Sequence, residues 1–345
     1  MSGANPHVKC KCFHINLPIG GLVAGSILIS FKTPSAAPRV QATHKEKILQ
    51  MDFPGTALVM RESLCLLQAL QYGGITHPWK SSLIISLLVG FSLMVIAFII
   101  VEIWQGERAM RIPRLMRQRT VWVNSVWVFP LPACNSSRSS IYSQSVDNRS
   151  AISSSVCNIS LIGFSSIAPF GCGKTMSKTG IATSILMASS VVVTISASLL
   201  YTLDIGTSTG KWVGYQILVG FGYGMGLQIP LVIVPAFAAP TDIAPVTGTI
   251  IYATFTIAAA QSGFDNQLLR KLHSTAPYVG HSQIISTGAT ALRRVFYKAE
   301  LDGVISAYAG GIKVAFAITI ASCSISALTS LAPKWDNTNK TKAST

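Results

Sequence analysis

Residues Leu83–Trp104 form a nearly unbroken apolar run. An α-helix needs about 20 such residues to cross the ~30 Å hydrocarbon core of a bilayer. Inside lipid it also satisfies every backbone hydrogen bond within the segment. The rest of the chain repeats the pattern. Phe13–Phe31, Pro54–Gln71, Ile181–Leu203, Trp212–Ala239, Val246–Gln261 and Gly310–Leu331 read as further spans, with Val121–Ala133 and Val156–Gly173 as weaker ones. Membrane-barrel strands would be about 10 residues long and alternating, which these runs are not. The pattern predicts an all-α integral membrane protein of 7 to 9 transmembrane helices.

Composition agrees. Half of the residues are hydrophobic and 11% are charged, against about 25% charged in a soluble domain. The net charge of +15 does not indicate nucleic acid, because no basic helix or recognised motif accompanies it. The basic residues lie mostly between apolar runs, where loops meet anionic headgroups. The loop Lys32–Asp52 carries Lys32, Arg39, Lys45 and Lys47, and Gln105–Thr120 carries Arg108, Arg111, Arg114, Arg117 and Arg119. Two helices separate these loops, so both are expected on the cytoplasmic side. Lys9 and Lys11, ahead of the first helix, pull in the opposite direction.

The organisation expected from this is a first helical group over 1–120, a polar, degraded helical region over 121–180 and a carboxy-terminal bundle over 181–332. An outer interfacial loop over 262–309 with short amphipathic helices, and a cytoplasmic tail over 333–345, complete it. The sequons at Asn135 and Asn148 fall in an expected outer loop and are candidate glycosylation sites.

Catalysis has no visible carrier: no Ser/His/Asp set, carboxylate pair or His-Glu-x-x-His occurs. The chain is therefore not expected to be an enzyme, and neither cofactor nor metal is expected. Gly171-Cys-Gly-Lys-Thr175 ends like a phosphate loop, but Ala168 stands where that pattern needs glycine. Gly220, Gly222, Gly224 and Gly226 lack the strand and third glycine of a dinucleotide site, and close helix packing is their expected role. Pro230 and Pro235 on the same run are expected to kink it. Glutamines within apolar runs can bind a polar group on an otherwise apolar substrate. Gln228, Gln261 and Gln216 are the substrate-binding candidates, with Gln68 and Gln71 behind them. Interhelical hydrogen bonding is the alternative role. Asp204, Asp242 and Asp265 read as caps or loop residues at helix ends.

Several short segments in order carry a resemblance. They include Cys12-Phe-His-Ile-Asn-Leu-Pro-Ile-Gly-Gly21, Asp52-Phe-Pro-Gly-Thr56, Ala69-Leu-Gln-Tyr-Gly-Gly74 and Trp104-Gln-Gly-Glu-Arg-Ala109. Pro113-Arg-Leu115, Gln118-Arg-Thr-Val-Trp122, Leu200-Tyr-Thr-Leu-Asp-Ile-Gly206, Tyr215-Gln-Ile-Leu-Val-Gly-Phe-Gly222, Gln228-Ile-Pro230 and Ala260-Gln-Ser262 follow. The series resembles fungal major facilitator superfamily transporters of the fourteen-helix drug:proton antiporter branch, which includes toxin-efflux pumps. The resemblance implies an incomplete major facilitator fold, with the amino-terminal part missing. It further implies proton-coupled efflux of a small hydrophobic compound such as a fungal secondary metabolite. The partners it implies are the lipid bilayer, that substrate and a proton. The plasma membrane is the expected location, with vacuolar or vesicle membranes as alternatives. The other reading is a truncated, non-transporting family member, either a relic or an assembly partner. Three features depart from the family: the polar stretch Asn124–Ser145, Arg61 and Glu62 in the middle of a span, and the short span Val246–Gln261.

Overall fold

The computed structural model describes residues 16–30, 52–109, 112–128, 151–180, 182–204, 206–236, 254–280, 283–284, 287 and 291–331. Two compact units are distinguished, residues 1–45 and 46–345. In the first, α1 (Asn16–Ser30) is apolar all round, as a lipid-covered helix is.

The second unit opens with α2 (Phe53–Tyr72) and α3 (Ser82–Gln105). Asp52 caps α2 in the left-handed region, at φ 42, and its carboxylate accepts from the Gly55 amide at 2.8 Å. Aspartate tolerates that conformation better than most residues. Pro54 follows in the first turn, where no N–H is needed. A Cβ at Gly55 would sit 2.2 Å from the Asp52 carboxylate, so glycine leaves room for the cap. The Gln105 amide, at the far end of α3, donates to the same carboxylate at 2.5 Å. Thus Asp52-Phe-Pro-Gly and Trp104-Gln, distant in sequence, close one end of a helical hairpin. Asp52→Ala should cost about 1–2 kcal/mol through the lost cap, read as a lower midpoint of thermal unfolding in detergent. Asp52→Asn keeps an acceptor oxygen and should recover most of it, and equal loss in both variants would contradict this account.

After α3 come a 3₁₀ turn (Gly106–Arg108), the short α4 (Pro113–Met116) and α5 (Arg119–Val128). Arg114 pairs with Glu107 at 3.0 Å on the surface, a contact worth little by itself. Then follow α6 (Ala151–Thr179), α7 (Ala182–Tyr201), α8 (Thr209–Ala236), α9 (Thr254–Thr275), the short α10 (Leu292–Val295) and α11 (Lys298–Thr329). Neighbours run in the order α3, α2, α9, α11, α7, α8, α6, and α5 bridges α8 and α11. The main core lies along α7, α8, α9 and α11, with Trp212, Leu272, Val304, Ala307 and Ala315 fully buried.

Three described helices, Ser82–Arg108, Ala182–Tyr201 and Glu300–Thr329, are long and apolar enough to cross a membrane by length and composition. The α3 helix buries only Ile84, Phe98 and Glu102 and exposes Leu93, Ile100, Ile103 and Trp104. That is inside-out for water and correct for lipid: apolar side chains face outward and the ionisable one faces protein. The described residues form an all-α fold whose long apolar helices suit a membrane.

The structure extends the sequence reading at one place and differs from it at two. Val156–Gly173, read as a weak span, lies inside the 29-residue α6. Its serines and threonines bond back to carbonyls of their own helix, Ser166 to Ile162 at 2.9 Å and Thr175 to Gly171 at 2.9 Å. Polar composition therefore does not break it. The region expected as an outer loop over 262–309 is largely helical: α9 continues to Thr275 and α11 begins at Lys298. At 1.5 Å per residue the 32 residues of α11 span about 48 Å, well beyond the ~30 Å hydrocarbon core. The two extensions pack on each other, with Leu268, Leu269 and Leu272 of α9 buried in the same core as Val304, Ile305 and Tyr308 of α11. Third, Asp265, expected at a helix end, lies midway along α9. Asp242 and the tail over 333–345 lie outside the described residues.

Candidate functional site

The α8 helix organises the bundle through two interleaved glycine pairs. A Cβ at Gly220 would lie 2.4 Å from the Leu161 carbonyl oxygen of α6, and one at Gly224 would lie 2.4 Å from that of Ser165. A Cβ at Gly222 would meet the Val193 side chain of α7 at 2.7 Å, and one at Gly226 would meet the Trp127 ring at 2.4 Å and the Ser189 hydroxyl at 2.5 Å. Spacing of four residues puts each pair on one helical face. The first pair therefore lets α6 approach, and the second α7 and α5. Pro169 lies inside α6 and has no N–H to give the carbonyl four residues earlier. That carbonyl belongs to Ser165, and the bare Cα of Gly224 packs against it, a geometry suited to a weak Cα–H···O contact.

Buried polar groups flank this slab. Ser189 donates to the Gly222 carbonyl at 2.7 Å. The Trp127 indole donates to Ser190 at 2.7 Å, and Ser326 of α11 donates to the Trp127 carbonyl at 2.9 Å. Gln216 is fully buried on α8. Its amide donates to Asn158 at 2.9 Å and accepts from Ser160 at 3.1 Å, both on α6. Asn158-Ile-Ser160 has the form of a sequon, yet this asparagine is engaged in interhelical bonding.

The remaining candidates do not gather with Gln216. Gln228 is 12 residues further along α8, about 18 Å away along the axis, and is exposed. Gln261 donates to Asp265, one turn ahead on α9, at 2.8 and 3.0 Å. Gln68 and Gln71 are exposed on α2. Pro230 is buried on α8. Pro235 lies in the last turn of α8, and Asn135 and Asn148 lie outside the described residues. Arg61 is exposed, whereas its neighbour Glu62 is buried at the middle of α2. Adjacent helical residues point about 100° apart, which separates the two environments. Glu102 on α3 is the other buried glutamate among the described residues.

A second polar site occupies the end of the bundle opposite the Asp52–Gln105 contact. After α2, Gly73 and Gly74 turn the chain, Gly74 at φ 77. The Trp79 indole donates to the Asn266 carbonyl oxygen at 3.1 Å, and the Asn266 amide donates to the carbonyls of Gly73 at 3.0 Å and Ser262 at 2.9 Å. One asparagine on α9 thus fastens the α2–α3 turn to the main bundle. Beside it opens a cavity of about 810 Å³, within the usual range for small-molecule sites. Sequence reading passed over Asn266 because it lay in the expected loop. Its visible signal was the spacing Asn266, Arg270, His273, which puts these polar residues on one helical face.

Such a bundle of apolar helices, tied by small-residue packing and holding a few buried polar groups, is the architecture of a helical membrane protein. The chain is similar over 93–94% of its length to proteins named as MFS-type transporters and efflux pumps. It is 42% identical over 341 residues to the MFS-type transporter grgE of a Penicillium species, covering 94% of this chain and 59% of that protein. Similarity to the probable efflux pump gsfJ of Penicillium aethiopicum is 41% over 341 residues, with 94% and 60% covered. The dehydrocurvularin exporter of Alternaria cinerariae is 34% identical over 339 residues, with 93% and 57% covered. The chain therefore spans about 60% of the length of these curated relatives. No protein-family model matches it. Multi-pass residence in a membrane follows from the helices and the similarity to these relatives together.

Proposed function

We propose that the chain works in proton-coupled export of a small hydrophobic compound, such as a fungal secondary metabolite. The observation that carries this reading is the similarity, over 94% of the chain, to proteins named as efflux pumps. Alternating access between helical bundles around a midplane site is the mechanism we infer. Buried Glu62 and Glu102 supply ionisable groups inside the bundle, the kind of residue that carries protons through membranes. Gln228 is our candidate for a polar contact to substrate, since its amide lies on an exposed face of α8. Gln261, bonded to Asp265, is a weaker one, and Gln216 fits a role holding α6 to α8. Pro230 and Pro235 serve as the hinge of α8, and Asn135 and Asn148 as glycosylation sites. The plasma membrane is the proposed location.

Reconstitution into vesicles tests the reading. An imposed pH gradient should drive accumulation of a hydrophobic dye, and a protonophore should abolish it. Dye movement no faster than in empty vesicles, from protein with native helical content, would overturn export by this chain and leave the non-transporting reading.

A further inference from the structure

We infer that the cavity beside Asn266 is a binding site for an anionic amphiphile, a small molecule with an apolar body and one ionised acid group. The inference rests on the transport reading only for its biological use, because binding can be measured without transport. The cavity follows one face of α9 from Gly263 to Ser274, about 16 Å at 1.5 Å per residue. Its two ends differ in chemistry. At the first, Gly263 and Val314 offer apolar surface, and Leu269 lines the wall. At the other, Arg270, His273 and Ser274 follow at spacings of three and four residues, which puts them on the same face.

Three observations favour a ligand over a purely structural role. Arg270 and His273 are exposed, and no hydrogen bond or ion pair to a described residue engages them or Gln267. None of the described residues lining the cavity is acidic, so the positive charge at its mouth is not neutralised locally. The floor is held rigid, because Asn266 spends its amide on Gly73, Ser262 and Trp79. Rigid walls cut the ordering cost of binding. A guanidinium in a partly apolar cleft prefers a planar oxyanion such as a carboxylate, which it meets with paired hydrogen bonds. The ligand would lie with its body toward Gly263 and its acid group at Arg270. On the sidedness expected from loop charge, the acid end points to the external solution.

The test uses the full chain in nanodiscs of neutral phosphatidylcholine and two fluorescent probes, 1-pyrenebutyrate and its uncharged methyl ester. The butyrate should bind more tightly than the ester. Arg270→Gln with His273→Gln should weaken the butyrate about tenfold and leave the ester unchanged, while Arg270→Lys should keep part of the affinity. Arg117→Gln, an exposed arginine elsewhere in the chain, should change neither. Equal affinity for both probes, or an unaltered butyrate affinity in the double variant, overturns the inference. If the double variant does not fold, Arg270→Lys measured against wild type decides the same question: a weakened butyrate supports the site and an unchanged one overturns it. Nanodiscs containing phosphatidylglycerol distinguish the source of the acid: competition with the butyrate assigns the site to a lipid headgroup, and no competition assigns it to a soluble product. Absence of dye export in vesicles bears on the proposed function alone and leaves this binding result standing.

Discussion

Gly224→Ala should destabilise the protein by about 1–3 kcal/mol, the usual cost of forcing extra atoms into a packed interface. The added methyl would fall 2.4 Å from the Ser165 carbonyl oxygen and 2.9 Å from its Cα. Both are backbone atoms, so no rotamer change relieves the clash, and α6 and α8 must move apart. Elsewhere on the helix the same substitution should do the opposite. A Cβ at Gly214 meets nothing within 4 Å, so Gly214→Ala should gain up to about 1 kcal/mol from helix propensity. Thermal unfolding of the two variants in one detergent gives the comparison. A Gly224→Ala protein that melts with the Gly214→Ala protein would show that α6 and α8 do not touch there.

A loss of about 2–4 kcal/mol is expected for Gly74→Ala. Two effects add. Alanine at φ 77 pays roughly 1–2 kcal/mol for the left-handed conformation. Its Cβ would also overlap the Asn266 carbonyl oxygen, at 1.7 Å, and displace an amide that makes three hydrogen bonds, each worth about 1 kcal/mol. Asn266→Ala removes the bonds without the backbone strain and should cost less. Hydrogen exchange should show the Gly73–Trp79 turn opening in both variants. Wild-type protection of that turn in Gly74→Ala would refute the role assigned to Asn266.

How much of this was legible beforehand depends on what each segment hides. The α3 helix was plain because its side chains face lipid, so hydropathy and environment agree. Asp52 and Gln105 lie in segments that the resemblance singled out, but their contact joins residues 53 apart in sequence, and a one-dimensional reading does not reach across that. The polar half of α9 was read as loop because its cations lower the average hydropathy. Yet Leu268, Leu269 and Leu272 bury one face while Asn266, Arg270 and His273 open the other. Helical periodicity, not mean hydropathy, carries that information. In sequence the three candidate glutamines all sit in apolar runs, with Gln228 set apart only by its neighbour Pro230. The fold separates them into a buried interhelical tie, an intrahelical partner and an exposed side chain.

What sequence alone determined is that this chain lives in a membrane as helices and carries ordered motifs that resemble those of a transporter family. Length and apolarity suffice for the first, because lipid leaves a lone 20-residue apolar run only the helix to pair its backbone, and barrel strands would be shorter and alternating. Tertiary structure decided which glycines face which helix, and that the expected outer loop is a helical extension sharing the bundle's core. It also decided that Arg270 and His273 look into a cavity. These depend on which faces meet, and a face acquires its meaning only from the partner packed against it.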